Sequence, residues 1–240
     1  MAKLTYFSHS AWMIETNGMS ILIDPFLDDN PTSPVKSKDV KADFIIITHA
    51  HGDHVGDSIS IAKAQNSTVI ANFEIANWCG EQGVTAHPLH IGGAHDFPFG
   101  NVKLTQAFHG SSFPDGSYGG MPAGVLVKVE GKTVYHSGDT GLFGDMKLIA
   151  EMNPIDIAMI PIGDNFTMGL NDAVKAVEFL KPKLVIPMHY KTEKCGFPLA
   201  TIDAFTAGKE VVKESQENTI EIQADNLPEP SEIIVLSHAL

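Results

Sequence analysis

Along this chain, short apolar runs rich in valine and isoleucine alternate with stretches whose apolar positions recur every three to four residues. Side chains alternate across a strand with a period of about 2 and return to one helix face with a period of about 3.6, so the two patterns predict strands and helices. Strands are expected at residues 3–7, 11–16, 20–24, 44–48, 68–71, 102–108, 124–129, 133–137, 157–160, 184–188 and 219–222. Helices are expected at 55–65, 74–81, 143–151, 172–180 and 202–215, with Asn171 capping the fourth and Pro182 stopping it. Asn17-Gly18 opens a β-meander, and Glu130-Gly131 suits a tight hairpin. The mixture is that of an α+β chain with helices covering sheets, read as one domain over residues 1–240, with 227–240 a C-terminal tail.

Composition narrows the partners. The chain carries 16 lysines, no arginine and 29 carboxylates, a net charge of −13. Duplex nucleic acids and anionic membranes need a cationic footprint, so neither is an expected partner. Without arginine there is no bidentate guanidinium clamp on phosphate or carboxylate. The apolar runs are far too short to span a bilayer. The opening MAKLTYFSHS lacks a signal-peptide apolar stretch, and Cys79 and Cys195 form no CxxC pair; a cytoplasmic protein with inert thiols is expected. Against the missing arginines stand 11 histidines, more than the 4 tyrosines and 2 tryptophans together. That imbalance points to metal.

Thr48-His49-Ala50-His51-Gly52-Asp53-His54 follows the apolar strand at 44–47. Histidines two apart at a strand end point the same way, so His49 and His51 can share one ion. Gly52 permits a sharp turn, after which Asp53 and His54 open the next helix facing a second ion. Imidazoles with carboxylates suit zinc, iron, manganese or nickel. Further candidates sit where other predicted strands end: His109, Asp139 and His189. Each alone is commonplace. Together with HxHxDH they form a donor set on rigid supports. His87, His90, His95, His136 and His238 match no metal motif and read as structural.

These motifs, in this order, resemble the metallo-β-lactamase superfamily over nearly the whole chain, from Asp24 to His189. The resemblance implies a four-layer αββα sandwich with a dinuclear site along one edge. His49, His51 and His109 would hold one ion, Asp53, His54 and His189 the other, and Asp139 would bridge them. Asp24, in Leu22-Ile23-Asp24-Pro25, would orient a ligand through its other ring nitrogen. Three stretches narrow the match: His9-Ser10, Gly163-Asp164-Asn165-Phe166-Thr167-Met168-Gly169 and Pro187-Met188-His189-Tyr190. They resemble metal-dependent hydrolases related to ascorbate-6-phosphate lactonase and, more distantly, the N-acylphosphatidylethanolamine phospholipase D group. His9 then reads either as a residue beside the metals or as a core histidine bonded to backbone. The secreted β-lactamase, diiron oxygen reductase and RNA-processing branches fit less well. They use cysteine or arginine in the ligand motifs, glutamate where His51 stands, and basic exosites or added domains, respectively.

The implied chemistry is hydrolysis of an ester, lactone or phosphodiester bond of a small molecule. Two divalent ions, zinc first and manganese, nickel or iron next, lower the pKa of water from about 15.7 to about 7 and supply hydroxide as nucleophile. Asp53 would steer that hydroxide and relay its proton. Asp164, Thr167 and Tyr190 are candidates for shaping the pocket. Residues 110–122 read as a mobile rim or as an ordinary glycine-rich loop, and Lys191 and Lys194 as anion contacts or as solvated cations. A metal-sensing protein and an iron-dependent redox enzyme of the same fold are the alternatives. Self-association through the apolar tail is a further expectation.

Overall fold

The computed structural model describes residues 2–207, 212–222 and 232–237. Its strands, in chain order, are β1 (Ala2–Tyr6), β2 (Trp12–Thr16), β3 (Met19–Ile23), β4 (Phe44–Ile46), β5 (Thr68–Asn72), β6 (Ala86–Leu89), β7 (Ala94–Phe97), β8 (Gly100–Gln106), β9 (Ala123–Val129), β10 (Lys132–His136), β11 (Ile157–Pro161), β12 (Leu184–Met188), β13 (Val212–Ser215), β14 (Thr219–Ile222) and β15 (Glu232–Leu236). The α-helices are α1 (Gly52–Val55), α2 (Ser58–Gln65), α3 (Phe73–Glu81), α4 (Met146–Met152), α5 (Leu170–Leu180) and α6 (Ile202–Thr206).

Period-2 alternation sorts these residues into layers. Ile21 and Ile23, Ile46, and Ile70 face a central core shared with Val125, Val127, Met159 and Ile186 of the opposing sheet. Their neighbours Leu22, Ile45 and Val69 face outward onto Ile61 of α2 and Ile75 and Cys79 of α3. On the other side Ala158, Ile160 and Val185 pack under Met146 of α4 and Ala173, Ala176 and Leu180 of α5. One sheet runs β14-β1-β2-β3-β4-β5-β6 and the other β13-β15-β12-β11-β10-β9-β8-β7. The expected four-layer αββα sandwich is therefore the observed α+β architecture.

Hairpins close where the turn residues indicate. Asn17 and Gly18 both take positive φ, 51° and 74°, as do Glu130 and Gly131, 48° and 75°. This is the primed geometry that matches strand twist, and it joins β2 to β3 and β9 to β10 in two-residue loops.

Several elements differ from expectation. The helix expected at 55–65 is split into α1 and α2 at Gly56, whose φ is 42° and where a Cβ would lie 2.3 Å from the Pro25 carbonyl. The approach of a distant turn breaks the helix. The fourth helix begins two residues earlier, with Gly169 as its N-cap and Asn171 inside its first turn; it ends at Leu180, and its C-cap Lys181 takes a left-handed φ before Pro182. The helix expected at 202–215 stops at Thr206, and Val212–Ser215 pairs in parallel with β15. The apolar run in the expected tail forms β15, which lies between β12 and β13. Strands β6 and β7 go unpredicted because they are four-residue edge strands carrying Pro88, His87 and His95.

Candidate metal centre

Strands β3 and β4 run parallel, with Ile23 opposite Ile46. The chain leaving β3 turns at Asp24 with φ of 47°, which aims a fully buried carboxylate beneath the start of the histidine-rich loop. Asp24 Oδ1 accepts the Thr48 N–H at 2.8 Å, and Oδ2 accepts the Thr48 hydroxyl at 2.6 Å. Oδ2 also accepts Nδ1–H of His54 at 2.8 Å. Because Thr48 gives its only proton to Asp24, its oxygen accepts Nδ1–H of His49, 3.0 Å away. One carboxylate thus fixes the proton on Nδ1 of two histidines and leaves both Nε2 atoms for the cluster. From sequence Asp24 is expected in this role, whereas Thr48 is assigned none; the alcohol between strand and HxHxDH was the available signal.

His49 Nε2 lies 3.0 Å from His51 Nδ1. Tetrahedral bonds of about 2.0–2.1 Å place two nitrogen ligands about 3.3 Å apart, close to this separation. The His109 ring stands 5.1 Å from that of His49 and 5.0 Å from that of His51. Asp139 follows β10 through Gly138, where φ is 60° and a Cβ would meet the Ala123 carbonyl at 2.4 Å. Its Oδ2 is 3.1 Å from Nε2 of His189, 3.4 Å from that of His54 and 3.6 Å from that of His109. His189 ends β12 in a left-handed turn, φ 51°, with its N–H donating to the His9 carbonyl at 2.9 Å.

His9 also takes a left-handed φ, 58°, and its Nε2 is 3.0 Å from Asp53 Oδ2. Its ring packs 4.1 Å from that of His189. Three donor groups emerge among the described residues: His49, His51 and His109; His49, His54 and Asp139; and His9, Asp53, His54 and His189. All seven expected ligands are brought together, and His9 joins them as a neighbour of Asp53.

The electrostatics favour a cation. Burial opposes charge on His54, but Asp139, Asp24 and Asp53 outweigh it and raise its pKa well above the usual imidazole range. For His189 the same contest, with Asp139 prevailing over burial, ends at about 9. Burial would raise Asp139, yet the His189 and His54 imidazoles hold it well below the carboxylate range; Asp53 is held low against burial by His54, His189 and His9. Burial and neighbouring imidazoles lower His49 well below its usual range. His54 Nε2, Asp139 Oδ1 and His189 Nδ1 are buried without a hydrogen bond among the described residues. Buried polar atoms are normally paired, so the bare His54 Nε2, 3.4 Å from Asp139 Oδ2, and the bare Asp139 Oδ1 fit a divalent ion, whereas His189 faces the cluster through Nε2 rather than Nδ1.

The cleft over the cluster has a volume of about 210 Å³ and is lined by His51, Asp53, His109, Asp139, Phe166, His189 and Phe197. The two phenylalanines were not singled out from sequence. Asp164 and Thr167 stand in the tight turn that carries Phe166: the Asp164 carbonyl accepts Phe166 N–H and Thr167 N–H, and its carboxylate accepts Asn165 N–H. Tyr190 is buried and lines a neighbouring cavity, its hydroxyl paired with that of Tyr6. Lys191 neither meets the cleft nor floats in solvent: its ammonium donates to the carbonyls of Cys195 and Phe197 at 2.5 and 2.9 Å. Residues 110–122 are tied down, with Ser111 Oγ donating to Gly119 O and Asn72 Nδ2 to Gly119 O and Met121 O. His136 accepts Gly138 N–H and donates to Ser10 O, clear of the cluster, while His87 and His95 pair with each other. His238 lies outside the described residues. Burial raises the Cys79 thiol to about 12, as an inert thiol requires.

Residues 3–189 match the family model described as a beta-lactamase superfamily domain. The chain belongs to the metallo-β-lactamase superfamily. Within the superfamily it is similar to a UPF0173 metal-dependent hydrolase of Geobacillus sp., 58% identical over 205 residues and covering 84% of this chain and 89% of that one. A UPF0173 metal-dependent hydrolase of Bacillus mycoides is 56% identical over 210 residues, covering 85% and 90%. Among solved structures, a metallo hydrolase of the hyperthermophilic archaeon Ignicoccus hospitalis superposes with a TM-score of 0.72 at 38% identity, covering 79% of this chain and 83% of that one. These relatives place the chain among the metal-dependent hydrolases of the metallo-β-lactamase superfamily. No helix of the described residues is long and apolar enough to cross a membrane.

Proposed function

We propose that the protein is a dinuclear hydrolase of the cytoplasm that cleaves an ester, lactone or phosphodiester bond of a small molecule, with zinc as the preferred metal. His49, His51 and His109 would hold one ion, Asp53, His54 and His189 the other, with Asp139 between them. The observation that carries this reading is the position of Asp139 Oδ2, within 3.1–3.6 Å of imidazole nitrogens belonging to both sets. Divalent ions held there lower the pKa of water toward about 7 and polarise the scissile oxygen.

The chain's own groups account for the rest. Asp53 faces the cleft with Oδ2 anchored by His9, so its carboxylate can accept a hydrogen bond from the attacking water. Because His54, His189 and His9 hold it low against burial, Asp53 stays ionised, and its part would be to orient the attacking water by accepting its hydrogen bond. Phe166 and Phe197 flank the cleft and limit bulk water around the reacting bond. No lysine lines the cleft among the described residues, so an anionic substrate would depend on the ions themselves.

The test is metal analysis beside hydrolysis of activated lactone and phosphodiester substrates, for the wild type and His51→Ala. Two ions per chain, with turnover lost in the variant, is the expected result. Full turnover in the variant would defeat the site. Metal retention with no hydrolysis of either class would favour a sensing role.

A further inference from the structure

A second cavity of about 270 Å³ adjoins the metal cleft, and Phe197 lines both. Its walls come from three segments, the turn after β1 (Ser8, His9), the turn after β3 (Phe26, Asp29, Asn30) and the stretch after His189 (Tyr190). The walls are held in place. Thr32 Oγ1 donates to Asn30 Oδ1 at 3.0 Å, so the Ser8 hydroxyl, 2.6 Å away, donates to Thr32. Asn30 Nδ2 in turn donates to the Phe26 carbonyl at 3.2 Å. Across the cavity, the Lys191 ammonium is committed to the Cys195 and Phe197 carbonyls.

The consequence is a cavity with a definite chemical bias. The hydroxyl protons of Ser8 and Thr32 are spent within the wall, and His9 is held by Asp53. Among the described residues, the Thr192 hydroxyl is buried without a partner and no lysine lines the space. Exposed Asp29 is the one acidic residue of the lining, which it shares with the aromatic residues Phe26, Tyr190 and Phe197. A carboxylate with aromatic faces attracts an ammonium and repels an anion. The volume is many times the roughly 10–15 Å³ that one water requires, so a compact organic group fits.

We propose that this cavity seats the non-reacting part of the substrate and that this part is a compact apolar group carrying an ammonium. The inference rests on the hydrolase reading for the term substrate, but occupancy of the cavity can be measured without turnover. Benzylamine, benzyl alcohol and benzenesulfonate are titrated into the metal-loaded protein and followed by ligand-observed NMR, for the wild type, Asp29→Lys and Cys195→Trp. Benzylamine is expected to bind most tightly, to weaken on the order of tenfold in Asp29→Lys, where attraction becomes repulsion, and to be lost in Cys195→Trp, which fills the space. Equal binding of the three probes, or benzylamine binding unchanged in both variants, overturns the proposal. Esters bearing the same three groups are then compared by kcat/KM. Selective benzylamine binding without hydrolysis of any ester would defeat the hydrolase reading and leave the cavity assignment standing. Hydrolysis without preference among the esters or probes would do the reverse.

Discussion

Replacing Asp24 by asparagine changes one buried atom and should weaken the protein's hold on both ions. Asp24 accepts three hydrogen bonds, from Thr48 N, Thr48 Oγ1 and His54 Nδ1, at 2.8, 2.6 and 2.8 Å. Asparagine can still accept from Thr48 N, but its NH2 then faces Thr48 Oγ1 and His54 Nδ1. Both partners must become acceptors. His54 moves its proton to Nε2. Thr48 turns its hydroxyl toward His49 Nδ1, 3.0 Å away, and His49 likewise moves its proton to Nε2. Each donor set thereby loses a lone pair. Loss of such an outer contact lowers metal affinity by about 10–100-fold, or about 1.4–2.7 kcal/mol per ion. The isosteric side chain keeps the left-handed turn at residue 24, because asparagine tolerates that conformation as aspartate does. Chelator competition counts the ions and measures their affinity, while imidazole 15N shifts report which nitrogen carries the proton. Two ions held at wild-type affinity, with Nδ1–H retained on both rings, would refute the relay.

Asp53→Asn, which alters a proposed ligand, should lower kcat by about 10²–10⁴-fold even at metal concentrations that load both sites; unchanged turnover in a metal-replete variant removes Asp53 from the chemistry. Metal affinity should rise between pH 6 and 9, because His189, held near 9 in the metal-free chain, must release its proton to bind; competition titrations flat across that range contradict this. The same raised pKa stabilises the metal-free fold fully below about 6.5 and loses its contribution as pH climbs through about 9, so metal-free chemical denaturation midpoints should fall over that window. Lys191→Met frees two carbonyls and should lower stability by about 1–2 kcal/mol and raise KM through a loosened Phe197; a KM and Tm both unchanged would show that the clamp is idle. In Gly119→Ala the new Cβ would meet that of Ala50 at 2.1 Å, so overpacking of about 1–3 kcal/mol is expected on the tied 110–122 loop, read by thermal melting.

Much of the site was legible because its ligands sit where strong strand patterns stop. Phe44–Ile46, Lys132–His136 and Leu184–Met188 are recognisable from β-branched and alternating apolar residues alone, and a side chain just beyond such a strand is held rigidly at the sheet edge. What stayed hidden depends on contacts between distant residues. The break at Gly56 comes from the Pro25 carbonyl, and no local pattern in residues 55–65 announces it. Lys191 resembles any exposed lysine until the chain beyond it folds back to present two carbonyls. Val212–Ser215 carries a helix-compatible pattern and becomes a strand because β15 offers it an edge. Phe197 has no motif of its own and reaches the cleft only through that returning loop.

The two sheets contribute to the cluster unequally, and neither completes a donor set alone. Asp24, His49, His51, Asp53 and His54 follow strands of the β1–β6 sheet, whereas His109, Asp139 and His189 follow strands of the other. Each proposed ion would therefore clasp the two halves of the sandwich at the edge where the His9 carbonyl and His189 N–H already join them. Loading then becomes a report on assembly: a chain whose halves have not docked offers half a site, and high affinity appears only after the central core has closed. By the same linkage, bound metal would hold that edge shut, so chelation should speed amide exchange there before it does at the far edge, where β6 meets β7.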